Sequence, residues 1–359
     1  MPSHNNRAII AAAGSRKTQY IVDQALADPT KPVLITTYTN ENLRQLASRL
    51  ARGRGIVPPH ITLIGWFTFL MNQCARPYQR ALLGEPNLIR SLNFEGSRNR
   101  YTDRSQVRKF FLDSNHDIYR DGTSQFVCDV EQATGGLVTQ RLSQMFDHVY
   151  IDEVQDLVGY DLDFLDHLFN ASLALTIVGD PRQHTYSTNR SMKNKKYQGA
   201  GLIKWLAERK AKCISEERCE SFRCNQQICD FADGLYPELP ATTSRNIDIT
   251  GHDGVFRIRR SEAIDYFRTY EPMVLRYNKN SDTLGLPAMN FGLAKGSTHD
   301  RVLIFPTESM RRYLLSKKLT TLQSKDKLYV AVTRARYSVA FVVPDWTVSD
   351  LVDSRSGRR

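Results

Sequence analysis

The feature that most limits how this chain can fold is a repeated pattern: a short apolar run that ends abruptly in polar or acidic residues. "FDHVYIDEVQD" (146–156) climbs through Val149, Tyr150 and Ile151 straight into Asp152 and Glu153. "LALTIVGDPRQ" (173–183) does the same into Asp180 and Gln183. "RAIIAAA" (7–13), "KPVLITTYTN" (31–40) and "HITLIGWFTFL" (60–70) are three more such runs. Continuous apolar strands of this kind are buried on both faces, as in parallel sheets covered by helices. Helical spacing follows two of them. In "SRKTQYIVDQALA", Tyr20, Ile21, Gln24, Ala25 and Leu26 share one face, and "ENLRQLASRL" reads the same way. Strand, loop and helix in alternation predict an α/β fold with parallel sheets and a site along the carboxyl edge.

The pattern returns later in the chain. "ICDFADGLY" (228–236) and "KDKLYVAVTRAR" (325–336) read as helices, and "GVFRIRR" (254–260), "MVLRY" (273–277), "RVLIFP" (301–306) and "YSVAFVVPD" (337–345) as strands. A length of 359 residues accommodates two domains. The expected division is 1–74 with 141–212 as a first lobe, 75–140 as an arginine-rich insertion, 213–348 as a second lobe and 349–359 as a basic tail.

Hydrophobic residues at 41% and charged residues at 24% describe a globular chain. No run approaches the length of a membrane-spanning helix, and "MPSHNNRAIIAAAG" lacks the apolar length of a secretory signal. A cytoplasmic protein without membrane contact is expected. The net charge of +11 clusters in "KNKKY" (193–197), "RKAK" (209–212) and "RSGRR" (355–359), which favours a phosphate-rich partner. Four of six cysteines, at 213, 219, 224 and 229, match no C-x2-C metal spacing and read as free thiols in a reducing compartment.

"AAAGSRKTQY" (11–20) sits between the first strand and the first helix. It has the Lys-Thr ending of the phosphate-binding loop G-x-x-x-x-G-K-[ST], but Ala11 and Arg16 stand at the two glycine positions, with Gly14 between them. If position 16 needs a left-handed conformation, a side chain there costs about 1–2 kcal/mol; otherwise the loop has shifted. Asp152 and Glu153, adjacent on an extended strand, would point to opposite sides and so could have different roles.

"AAAGSRKT", "TYTN", "GWFTFL", "IDEVQD", "VGDPRQHTY", "SFR", "LAKG" and "YVAVTRAR" follow one another from residue 11 to residue 336. In that order they resemble the motifs of UvrD/Rep-like superfamily 1 helicases. The resemblance implies two RecA-like lobes and the cofactors ATP and Mg2+. It places Gly14, Ser15, Arg16, Lys17 and Thr18 around the phosphates, with Lys17 reaching the β- and γ-phosphates. Thr18 and Asp152 would hold the magnesium, and Glu153 would take the proton of the attacking water. Gln155 and Gln183 would sense the γ-phosphate. Arg223 and Arg334 resemble the family's two arginine fingers. Phe222 stands where an aromatic residue stacks the adenine, and Thr298 where a glutamate contacts ribose. Tyr38, Asn40 and Phe67 would lie on the path of single-stranded DNA, and Trp66 would add a stacking face, unless Trp66 and Phe67 pack in the core.

The chain departs from that family in four places. Only ten residues precede Ala11, where the adenine-reading glutamine would lie further upstream. "STNRS" follows "GDPRQHTY" in place of a base-stacking tryptophan, and Gly292 and Thr298 replace a histidine and a glutamate. Between Arg223 and Lys295 there is no room for the large second-lobe insertion of longer members. Size and architecture also resemble the helicase subunits of Gabija-like phage-defence pairs, which implies a nuclease or ATPase partner. The expected function is an ATP-dependent DNA helicase or translocase on single-stranded or tailed duplex DNA, 3′ to 5′, in phage defence or DNA repair. The competing expectation is a nucleic-acid-stimulated ATPase switch that regulates a partner nuclease. These residues leave DNA and RNA undistinguished.

Overall fold

A computed structural model describes residues 5–351; "RSGRR" and most of the expected 349–359 tail lie outside the described residues. The chain divides into two compact units, one of residues 5–10 and Lys17–Glu217, the other of Ala11–Arg16 and 218–351.

The first unit runs β1 (Arg7–Ala11), α1 (Lys17–Leu26), β2 (Val33–Thr37), α2 (Asn40–Leu50), β3 (Ile61–Gly65) and α3 (Trp66–Phe69). Next come α4 (Arg80–Leu83), β4 (Leu92–Asn93), α5 (Val107–Phe111), β5 (Ile118–Tyr119), α6 (Arg120–Ala133) and α7 (Leu137–Met145). It closes with β6 (His148–Asp152), α8 (Tyr160–Phe169), β7 (Ala174–Gly179), α9 (Gly201–Ala207) and β8 (Ile214–Arg218). Six strands form one sheet in the order β3-β2-β6-β7-β1-β8, and β3, β2, β6, β7 and β1 pair in parallel. Every residue of β2 is buried, as the apolar run predicts.

Three features differ from the sequence expectation. The run 60–70 breaks after Gly65 into α3, because Trp66, Phe67 and Phe69 are buried from a helix rather than a strand. The segment 75–140 contains α4, α5, α6 and the start of α7, joined by a long irregular stretch that holds β4. Its α6 buries Thr123, Ser124 and Gln125 beside Phe126 and Val127, so polar residues point inward and blur the 3.6-residue period. The sixth strand, β8, reads "ISEER": it lies at the sheet edge, mostly exposed, and carries no apolar signature.

The second unit contains β9 (Glu220–Ser221), α10 (Gln226–Asp233), β10 (Thr243–Ser244), β11 (Gly254–Arg259), α11 (Ala263–Tyr270) and β12 (Met273–Arg276). It continues with β13 (Ala288–Asn290), β14 (His299–Phe305), α12 (Glu308–Ser316), α13 (Lys325–Val332) and β15 (Ala335–Val343). Its main sheet is parallel, in the order β11-β15-β14-β12-β13. The helix expected to reach 336 stops at Val332, because Ala335 already pairs with His299 of β14. Arg334 therefore sits at a helix-to-strand junction and not on a helix face.

Candidate functional site

In the first unit the polar ends of β6 and β7 meet the start of α1. Lys17 and Thr18 are the first two residues of α1, and Asp152 the last of β6. The Thr18 hydroxyl donates to Asp152 Oδ2 at 2.8 Å. Lys17 Nζ lies 3.7 Å from Glu153 Oε1. Lys17, Asp152 and Glu153 are all buried. Burial, and then the neighbouring Glu153 charge, push the Asp152 carboxyl up to about 6, against the pull of Lys17 and of the Thr18 hydrogen bond.

The two carboxylates are not set apart by strand alternation, because β6 ends at Asp152. Glu153 lies beyond β6 in a left-handed conformation, φ 59° and ψ 41°, and its amide donates to Asp152 Oδ1 at 2.9 Å. This turn, and not an extended pleat, aims its carboxylate at Lys17 and at the Gln155 amide. Gln155 Oε1 accepts from the Asp180 amide at 3.0 Å, and Gln183 donates to Asp180 Oδ2 at 2.8 Å. His184, which the sequence reading passed over, meets the Gln155 carbonyl at 2.6 Å. Glu153, Gln155, Asp180 and Gln183 thus form one buried polar chain. Gly179 is required beside it: a Cβ there would lie 2.5 Å from Gln155 Oε1.

In the second unit, residues 11–16 pack on the segment after β9. Gly14 has φ 81°, and a Cβ there would fall 2.6 Å from Ser221 Oγ. Its carbonyl accepts from the Phe222 amide at 3.0 Å, and the Ala13 amide approaches the Tyr329 hydroxyl at 3.3 Å. These contacts hold the loop in place. Arg16 is left-handed, φ 62°, and its guanidinium lies 3.9 Å from the centre of the Phe222 ring, the face expected to stack an adenine. The Ser15 hydroxyl is buried without a hydrogen-bond partner among the described residues.

Arg223 Nη1 donates to the Thr333 carbonyl at 2.9 Å. Arg334 is buried and donates to the Val330 carbonyl at 3.0 Å and the Thr333 hydroxyl at 3.2 Å. The Cys224 thiol donates to the Thr333 carbonyl at 3.6 Å, and the neighbouring Cys229 thiol, with both guanidiniums, draws its pKa down. Thr298 is exposed in the loop before β14. The six cysteines are free thiols.

The residues expected on a nucleic-acid path separate into two groups. Tyr38 is half-buried at the end of β2, 5.9 Å from Phe67 and 6.3 Å from Tyr186 between ring centres. Asn40 opens α2 and is exposed. Trp66 does not present a stacking face. It is buried, and its indole N–H donates to Asp161 at 2.9 Å. Asp161 also accepts from Ser124, Thr188, Asn189 and the Val158 amide. Thr188 and Asn189 belong to "STNRS", so that departure from the family pattern supplies donors to a buried carboxylate. No helix among the described residues is long and apolar enough to cross a membrane.

The family model of the UvrD/REP helicase N-terminal domain matches residues 132–195, which carry Asp152, Glu153, Gln155 and Gln183. No curated protein matches the chain. Among solved structures, the PRRSV helicase is 15% identical, with 97% of this chain and 55% of that one covered and a TM-score of 0.47. Arterivirus nonstructural protein 10 (helicase) is 15% identical, with 95% and 60% covered and a TM-score of 0.49. The same protein in complex with DNA gives 14%, 95%, 62% and 0.47. The chain spans 55 to 62% of the length of these helicases. The matched domain lies over the strand and turns that hold both carboxylates and both glutamines.

Proposed function

We propose that the chain is a cytoplasmic, magnesium-dependent ATPase of UvrD-like type that moves 3′ to 5′ on single-stranded DNA or from the tail of a duplex. The observation that carries this reading is the buried cluster of Thr18, Asp152, Lys17 and Glu153, with the Thr18–Asp152 hydrogen bond at 2.8 Å. Two hard oxygen donors side by side suit Mg2+, which is held by one or two protein ligands and fills its shell with water and phosphate. The partnerless Ser15 hydroxyl in the preceding loop suits a phosphate oxygen. Bound there, the ion would neutralise charge on the phosphates.

Lys17 is then the point charge for the β- and γ-phosphates. Lys17 also faces Glu153, and an opposite charge makes a carboxylate a weaker base. Turning Lys17 to phosphate frees Glu153 to accept a proton from water. Gln155, bonded to Glu153 and to the Asp180 amide, holds that carboxylate in place. Arg223 and Arg334 act as the two fingers that stabilise charge on the transferred phosphoryl group.

The test is the ATPase rate with and without single-stranded DNA or RNA, alongside strand displacement on duplexes with 3′ or 5′ tails. Stimulation by single strands and displacement from the 3′ tail are expected. Stimulation without movement would favour an ATPase switch for a partner nuclease, and turnover indifferent to nucleic acid would overturn the motor.

A further inference from the structure

Phe94 breaks the rule for large apolar side chains: it is 54% exposed, although its neighbours offer a core. It follows β4 in a turn fixed at several points. Asn93 donates to Asp113 Oδ2 at 2.6 Å and accepts from the Gly96 amide at 2.6 Å. A Cβ on Gly96 would come within 2.6 Å of the Asn93 side chain, so the turn is closely packed there. Phe94 is thus held outward by an anchored loop and not left there by a loose one.

Its ring meets Phe67 edge to face at 5.7 Å. Phe67 meets Tyr38 at 5.9 Å, and Tyr38 meets Tyr186 at 6.3 Å. These four rings form a continuous row within the first unit, past the carboxyl ends of β2, β3 and β7. Phe94 is its outer and most exposed member. Directly after it, "EGSRNRYTDR" places Arg98 and Arg100 on the surface. Neither forms an ion pair among the described residues, whereas Arg104 and Arg108 are paired with Asp129 and Glu85. Arg98 is held over the Phe110 ring at 3.8 Å.

We infer that Phe94, Arg98 and Arg100 form a binding site for single-stranded nucleic acid, in which Phe94 stacks a base and the two guanidiniums hold neighbouring phosphates. The inference rests on the motor reading above and adds to it a grip supplied by the segment inserted between β3 and β6. An exposed ring takes any base, because every base has a π face, and unpaired guanidiniums select the phosphate backbone. A protein partner would account for the apolar ring, but an uncompensated pair of arginines beside it favours a polyanion.

The test is fluorescence anisotropy with labelled dT20 and with an abasic strand of the same length. Phe94→Ala should weaken dT20 binding by roughly 5- to 100-fold, and leave abasic binding close to wild type. Phe94→Trp should restore affinity and show indole quenching on dT20. Arg98→Ala with Arg100→Ala should weaken both strands and flatten the salt dependence by about one to two phosphate contacts. Tight wild-type binding with Phe94→Ala unchanged and Phe94→Trp unquenched would overturn this inference alone. A wild-type chain that binds neither strand would overturn it together with the motor reading.

Discussion

Arg223 and Arg334 close on the same residue: one donates to the Thr333 carbonyl at 2.9 Å, the other to the Thr333 hydroxyl at 3.2 Å. The two differ in what else they hold. Arg334 is buried, with further bonds to the Val330 and Ser297 carbonyls, while Arg223 is less enclosed. Each alanine variant should slow ATP hydrolysis by about 10^3-fold. Arg334→Ala should also lower the melting temperature, because it strands buried carbonyls, whereas Arg223→Ala should melt close to wild type. Steady-state rates and thermal melts separate the two effects.

Lys17→Ala should lose both nucleotide affinity and turnover. Glu153→Gln should keep affinity and lose about 10^2- to 10^4-fold in rate, the range of a general base. Titration of a fluorescent ATP analogue and single-turnover hydrolysis distinguish them. A Glu153→Gln variant that turns over normally would remove Glu153 from the proton transfer.

Arg16→Gly exchanges a strained left-handed residue for one that adopts this conformation freely, which is worth about 1–2 kcal/mol. It also removes the guanidinium over Phe222, a contact worth about 0.5–1 kcal/mol at an exposed site. Stability should rise slightly, and nucleotide affinity should stay level or improve. Lower affinity in a well-folded Arg16→Gly protein would mean that the guanidinium touches phosphate.

Trp66→Phe keeps a ring in the core but removes a donor from buried Asp161, so it should cost about 1.5–3 kcal/mol, the range for a hydrogen bond to a charged group. Denaturant unfolding measures this. Binding of single strands by the folded variant should match wild type, since the indole has no open face.

His148 stacks on Tyr150 at 4.0 Å and meets Thr176 Oγ1 at 2.8 Å. Burial, with Arg7 and Lys31 nearby, pulls its pKa down to about 4. The fold therefore favours the neutral ring. Its contribution to stability is complete above the unfolded value of about 6.5, and it is lost as pH falls from there toward 4. Urea midpoints across that window should drop more steeply for wild type than for His148→Gln.

How much of this was legible in the sequence depended on whether burial produced a pattern. The four inner strands of the first sheet announce themselves, because parallel strands covered on both faces leave unbroken apolar runs, and the edge strand β3 is apolar as well. β8 and β13 do not, since both carry mixed or polar residues. α6 hides for the opposite reason: its polar side chains are buried too. At the site, motif order places Lys17, Thr18, Asp152 and Glu153 within one cluster. What no spacing revealed was the left-handed turn at Glu153, the Arg16–Phe222 contact and the use of Trp66 as a donor to Asp161. Each of these is a choice among backbone or side-chain states that only the surrounding packing decides.

The backbone at Glu153 has a consequence for how sequences of this kind can drift. A left-handed residue with a side chain is held against its own preference, and glycine or asparagine would relax it at once. Random change under selection for folding alone would therefore erase the carboxylate, because the erasing substitutions are the stabilising ones. Persistence of Glu at this position across descendants would then record selection on chemistry, separated from selection on stability. The same position also warns the protein engineer: a thermostabilised variant found by screening melts alone is most at risk of losing the proposed base at 153.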